Sequence, residues 1–136
     1  MHMFGICDGH GPYGRDAANF VKYSLHMQIE QRYPREGREK YESIQKSMHD
    51  SFSNVQNTIT TAIGNAAYSG CTACIVLVQG HKIITANLGN SRAIVVSKLR
   101  KVRQLTEDHV PNLPAERRRI QIAGGRIALK DVGSKD

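Results

Sequence analysis

No apolar run in this 136-residue chain comes near the ~20 residues that a bilayer-spanning helix requires. The N-terminus also has no basic segment leading into an apolar one. Membrane insertion and a secretory leader are therefore not expected, and the chain reads as soluble and intracellular, cytoplasmic or nuclear. Cysteine is scarce: Cys7, Cys71 and Cys74 form an odd set, which suits a reducing compartment better than a disulfide scaffold. Cys71 and Cys74 spell C-x-x-C, but positions three apart on a strand point to opposite faces and no second ligand pair follows. Neither zinc nor redox chemistry is expected from that motif. Internal repeats and low-complexity linkers are missing too, so the length corresponds to one domain.

Acidic residues are outnumbered, with 19 Lys and Arg against 12 Asp and Glu, a formal net charge of +7. Lys98, Arg100, Lys101 and Arg103 cluster, as do Arg117, Arg118 and Arg119. These charges fall on an expected hairpin tip and a short helix, and no nucleic-acid module signature accompanies them. They read as solvated faces that favour acidic or phosphorylated partners over nucleic acid.

The periodicity of the chain is mixed. After Gly14, Ala17, Val21, Leu25 and Ile29 recur every fourth residue, which predicts a helix to Arg32, stopped by Pro34. A second apolar stripe, Ile44, Met48, Phe52, Val55, Ile59 and Ile63, predicts a longer helix that Gly64 ends. From Thr72 the pattern shortens to strands at 72–79, 82–88, 91–97 and 102–106, separated by Gly80-His81, Gly89-Asn90 and a basic turn, an expected antiparallel meander. The run 74–78 is apolar throughout and predicts a strand covered on both faces. A short helix at 115–123, Gly124-Gly125 and the start of another strand at 126–129 complete the order.

The richest segment is Phe4-Gly5-Ile6-Cys7-Asp8-Gly9-His10-Gly11. An apolar run here ends in a carboxylate, two glycines and an imidazole. A buried strand would hold Asp8 rigidly, and the glycines let carbonyl groups approach a ligand. Hard cations such as Mg²⁺ and Mn²⁺ take carboxylate, carbonyl and water oxygens. His10 could then exchange protons beside bound water. Asp-Gly equally reads as an ordinary turn.

Three segments in order resemble the metal-dependent protein serine/threonine phosphatases of the PP2C family (PPM class): FGICDGHG at 4–11, SGCTA at 69–73 with ANLGNSRAI at 86–94, and QLTEDHVPNLPAERRRIQIAGGRI at 104–127. The resemblance implies an α+β fold, part of an α-β-β-α sandwich of antiparallel sheets, with residues 1–136 as the central portion of the phosphatase domain, incomplete at both ends. It implies hydrolysis of phosphoserine and phosphothreonine in protein substrates by a pair of Mg²⁺ or Mn²⁺ ions. Asp8 would bridge the two metals, the Gly9 carbonyl would ligate one of them, and His10 would be the general acid. Cys7 would pack rather than attack, since no phosphoenzyme forms. Ser69–Ala73 would be structural, and Asp108 and His109 a conformational connector.

The family has Gly-Asp-Ser-Arg where this chain has Gly89-Asn90-Ser91-Arg92. Asn90, a candidate ligand at a further metal position, lacks the negative charge of that aspartate. An arginine and an acidic residue before the Asp-Gly-His-Gly corner, and aspartates beyond Asp136, belong to the family pattern outside this chain. The 136 residues alone should therefore bind metal weakly or not at all and be inactive. The alternative is a PP2C-like pseudophosphatase that serves as a binding or regulatory module.

Overall fold

A computed structural model describes residues 1–33, 41–63 and 68–128. The elements among them are β1 (His2–Ile6), β2 (Gly9–His10), α1 (Gly14–Arg32), α2 (Tyr41–Ala62), β3 (Gly70–Cys71), β4 (Ala73–Gln79), β5 (Lys82–Leu88), β6 (Ile94–Val96), β7 (Val102–Gln104) and α3 (Pro114–Ile122). The class is α+β, with every strand pair antiparallel.

The two long helices follow their apolar stripes. Ala17, Val21, Leu25 and Ile29 are all buried along α1. The helix ends at Tyr33, whose N–H donates to the Ile29 carbonyl at 2.8 Å and whose hydroxyl donates to Gln79 Oε1 at 2.7 Å. That second bond ties the end of α1 to the end of β4. Along α2, Ile44, Met48 and Val55 are buried, and Phe52 and Ile59 pack against the same core. The expected terminator Gly64 and the expected stop Pro34 lie outside the described residues.

The helices cover one face of a three-stranded sheet ordered β1-β4-β5. Alternation along β4 sends Ala73, Ile75 and Leu77 to the helices, where Met3, Ile84 and Ala86 join them. Cys74, Val76 and Val78 point to the other face. Part of that face is covered by residues 105–107: Thr85 Oγ1 donates to the Leu105 carbonyl at 3.3 Å and Asn87 Nδ2 to the Glu107 carbonyl at 2.8 Å. The double cover expected for 74–78 thus holds at Cys74, which is 3% exposed, and weakens at Val76 and Val78, which are half-buried.

Four expectations need correction. The strand leading to Asp8 is not a buried strand: β1 is a sheet edge, and Phe4 and Ile6 are 60% and 57% exposed. The meander is not continuous, because β5 does not pair with β6; β6 and β7 form their own two-stranded sheet. The break comes at Gly89, whose φ of +99° turns the chain out of β5. Strands β6 and β7 are also shorter than expected, Ile94–Val96 and Val102–Gln104, and beyond Ile94 a side-chain hydroxyl takes over from the ladder. Thr106 Oγ1 accepts from the Ala93 N–H at 3.0 Å, and Ser91 Oγ bonds Thr72. Finally, 126–128 form neither helix nor strand, and Leu129 lies outside the described residues.

The basic clusters sit where expected. Lys98, Arg100 and Lys101 occupy the exposed β6–β7 turn, while Arg117 and Arg118 lie exposed on α3, which buries none of its residues.

Candidate active site

The corner at Asp8 is part of a ladder, not a free turn. Ile6 pairs with Cys74 on one side of it, and Gly9 and His10 pair with Cys71 and Gly70 on the other, in one unbroken register. Between the two ladders the Thr72 N–H donates to the Asp8 carbonyl at 2.9 Å. The return bond from the Asp8 N–H goes to Thr72 Oγ1 at 3.0 Å, so a side-chain hydroxyl stands in for a ladder carbonyl.

Beyond Asp8 the chain folds back onto the start of α1. A Cβ on Gly9 would overlap the Gly14 carbonyl, and one on Gly14 would overlap the Gly9 carbonyl carbon. Two glycines are required here for backbone to touch backbone. The first turn of α1 has no side-chain cap, and Ser69 Oγ accepts from the Tyr13 N–H just before it at 3.0 Å. The His10 imidazole lies over the backbone of Gly70, where an added Cβ would meet it at 3.1 Å.

Thr72 also carries the second half of the site. Its Oγ1 lies 2.6 Å from Ser91 Oγ, and an added Cβ on Gly89 would meet its methyl group at 2.7 Å. Asn90 sits between those two contacts, exposed to solvent. The loop is braced from outside by 108–109. The His109 N–H donates to the Gly89 carbonyl at 3.0 Å, the Gly89 N–H donates to His109 Nδ1 at 3.3 Å, and Arg92 grips Asp108 through Nε at 3.1 Å and Nη2 at 2.7 Å. Hydrogen bonding and charge from Arg92 hold the Asp108 carboxyl below its ordinary range, and the same pairing raises Arg92.

Asp8, Gly9 and His10 are therefore brought together on one corner, and the loop of Asn90 is seated on the same threonine. Asp108 and His109 brace that loop. The residues not singled out from sequence are the hydroxyls Thr72, Ser91 and Ser69. Their signal was present in the small polar residues just ahead of an apolar strand, since such side chains satisfy backbone groups that an irregular corner leaves over.

The cysteines divide by face. Cys7 and Cys71 pack against the same core; the neighbouring Cys71 thiol, with the charge of Lys22, lowers Cys7 to about 7, while Cys7 and burial push Cys71 up. Cys74 is raised by burial on the opposite side, beside Thr106.

A divalent ion needs several oxygen ligands. Among the described residues no group of three or more His, Cys, Asp and Glu side chains could hold a metal. The corner offers one carboxylate and one carbonyl, with an amide side chain on the neighbouring loop. That donor set falls short of a cage for two dications, and no step is assigned to metal held by this chain alone.

Residues 1–134 match the family model described as protein phosphatase 2C. The chain belongs to this family. It is 33% identical over 130 residues to "Probable protein phosphatase 2C 2" of Oryza sativa subsp. japonica, covering 92% of this chain and 33% of that protein. It is also 33% identical over 141 residues to "Probable protein phosphatase 2C 35" of Arabidopsis thaliana, covering 100% of this chain and 39% of that one. The chain thus spans little more than a third of the length of these PP2C relatives. Among solved structures it resembles the Mycobacterium tuberculosis serine/threonine phosphatase PstP/Ppp, with a TM-score of 0.60 at 16% identity over 90% of this chain and 48% of that one. A bacterial serine phosphatase superposes with a TM-score of 0.61 at 20% identity. Both likenesses establish the PP2C fold. Among the described residues no helix is long and apolar enough to cross a membrane.

Proposed function

We propose that residues 1–136 are the central portion of a metal-dependent protein serine/threonine phosphatase domain and contribute one corner of its active site. The observation that carries this reading is the junction at Thr72, which holds the Asp8 corner and the Asn90 loop together in a chain whose family match runs over residues 1–134. A pair of Mg²⁺ or Mn²⁺ ions bound there would supply charge neutralisation of the phosphate and a water of lowered pKa. Asp8 would hold that pair through its carboxylate, and the Gly9 carbonyl would supply a second oxygen. His10 gives its proton to the departing seryl or threonyl oxygen. The substrate is a phosphoserine or phosphothreonine protein, and the exposed basic residues suit its charge. The remaining ligands come from sequence outside this chain.

A second reading, a pseudophosphatase that binds phosphoproteins without turning them over, is favoured by the neutral side chain at Asn90 and by the single carboxylate at the corner. One experiment separates the two. The 136 residues are exchanged for the matching segment of the rice relative, and Mn²⁺-dependent hydrolysis of a phosphothreonine peptide is measured beside the unaltered relative and the isolated chain. The phosphatase reading expects turnover in the chimaera that Asp8→Ala abolishes, and none in the isolated chain. His10→Ala should slow substrates with poor leaving groups most, and equal losses on good and poor ones would remove His10 as the acid. A folded but inactive chimaera that Asn90→Asp restores supports the binding-module reading.

A further inference from the structure

We propose that the tip of the β6–β7 hairpin is a docking surface for an acidic segment of a partner protein. Lys98, Arg100, Lys101 and Arg103 pair with its carboxylates, and Leu99 packs on an apolar residue set among them. From Ala93 to Thr106 the chain carries these four cations and no Asp or Glu. All four are exposed, and among the described residues none is in an ion pair, whereas Arg92 and Arg119 each have a carboxylate partner. Leu99 stands in their midst, 80% exposed.

The turn that presents these side chains is fixed by its own hydrogen bonds. The Arg100 N–H donates to the Ser97 carbonyl at 2.9 Å, the Ser97 N–H to the Lys101 carbonyl at 2.9 Å, and the Lys101 N–H to Ser97 Oγ at 3.1 Å. A surface already ordered loses less freedom on binding. Arg100 has a φ of +57°, the left-handed position that closes a three-residue hairpin loop and that glycine fills without strain. The fold itself has no need of a guanidinium there.

The hairpin leaves the candidate site at Ser91, which bonds Thr72, and Leu99 lies eight residues further along the chain. At about 3.3 Å per residue the tip is at most about 26 Å from that junction, and the ladder of β6 and β7 carries it away. A segment on the tip therefore leaves the Asp8 corner open.

Nucleic acid and anionic lipid are also drawn to basic surfaces. Residues 97–104 hold no aromatic ring on which a base could stack. One leucine at the tip is a smaller anchor than a single acyl chain, which by itself holds a protein to a bilayer only marginally. An acidic protein segment needs neither device, and its charge complements the hairpin.

The test is fluorescence anisotropy of the full chain with a labelled, unphosphorylated Glu-Glu-Leu-Glu-Glu peptide at low ionic strength. Binding should saturate and weaken with added salt. Lys98→Gln with Lys101→Gln should weaken it about tenfold, whereas Arg117→Gln with Arg118→Gln, which removes the same charge from α3, should change it less than about twofold. Arg100→Gly suits the turn yet should weaken binding about threefold, and Leu99→Ser, with charge unchanged, about fivefold. No turnover is read, so the result is independent of whether the chimaera hydrolyses phosphothreonine. Equal weakening by the two double variants would reveal attraction to net charge alone and overturn the proposal. Tighter binding to phosphatidylserine vesicles or to an oligonucleotide of equal charge than to the peptide, or no saturable peptide binding, would overturn it as well.

Discussion

The hydroxyls of Thr72 and Ser91 lie 2.6 Å apart, and the same Thr72 oxygen accepts the N–H of Asp8. One buried side chain therefore joins the end of β1 to the loop after β5. Thr72→Val keeps the shape and removes the acceptor, leaving the Asp8 N–H and the Ser91 hydroxyl to find other partners. An unmet buried polar group costs about 1–3 kcal/mol, and urea unfolding of the valine variant should show a loss in that range. Thr72→Ser keeps the oxygen and should lose less. Equal midpoints for the threonine and valine proteins would show that the junction contributes nothing to stability.

The two faces of the sheet should respond differently to truncation. Leu77 is completely buried between β4 and the helices, whereas Phe4 on β1 is 60% exposed. Leu77→Ala should destabilise by about 2–5 kcal/mol, the range for emptying a packed site. Phe4→Ala should stay within about 0.5 kcal/mol, as for exposed positions that touch little. Thermal unfolding of the two variants side by side checks this, and a large loss at Phe4 would mean that another surface covers it in solution.

What could be read in the sequence was what local pattern encodes. The four-residue spacing from Ala17 to Ile29 and the stripe from Ile44 to Ile59 gave both long helices, because a buried helix face leaves that period in the residue order. The β4–β5 hairpin was legible from Gly80-His81 between two apolar runs. Pairing between distant segments was not. Nothing local distinguishes a continuous meander from one that breaks at Gly89, and nothing near Phe4 marks β1 as an edge, because both facts depend on which strand lies alongside. At the site, Asp8, Gly9, His10 and Asn90 stood out by chemistry. Thr72 did not, since a threonine before a strand becomes a junction only when segments 64 and 19 residues away come to rest on it.

The ion pair between Arg92 and Asp108 should give stability a defined acid dependence. Asp108 has its folded-state pKa depressed by Arg92, so the folded protein holds fewer protons there than the unfolded chain over the affected range. Its contribution is complete above the ordinary aspartate value of about 3.9 and is lost as pH falls through the lowered folded value. The difference in unfolding midpoint between the unaltered chain and Asp108→Asn should accordingly hold steady through neutral and mildly acidic pH and shrink in stronger acid. High salt should also reduce it, because the Arg92 side chain is 52% exposed. A difference that persists unchanged in strong acid would mean that Asp108 acts through its shape and not its charge.

Asn90 offers the sharpest check on whether its loop and the Asp8 corner face the same cation. Asn90→Asp adds one negative charge, and a unit charge pair at 4 Å is worth about 1 kcal/mol in water, roughly twice that for a dication before salt screening. Mn²⁺ affinity of the full chain, weak at the outset, should therefore rise by up to about 30-fold in low-salt calorimetric titration. The gain should depend on Asp8: if both carboxylates reach one ion, it falls away in the Asp8→Asn background, because coupled sites are not additive. An equal gain with and without Asp8 would place the two residues at separate ions. No gain in either background would mean that position 90 does not face a cation at all, and the shared role of the corner and the loop would be lost with it.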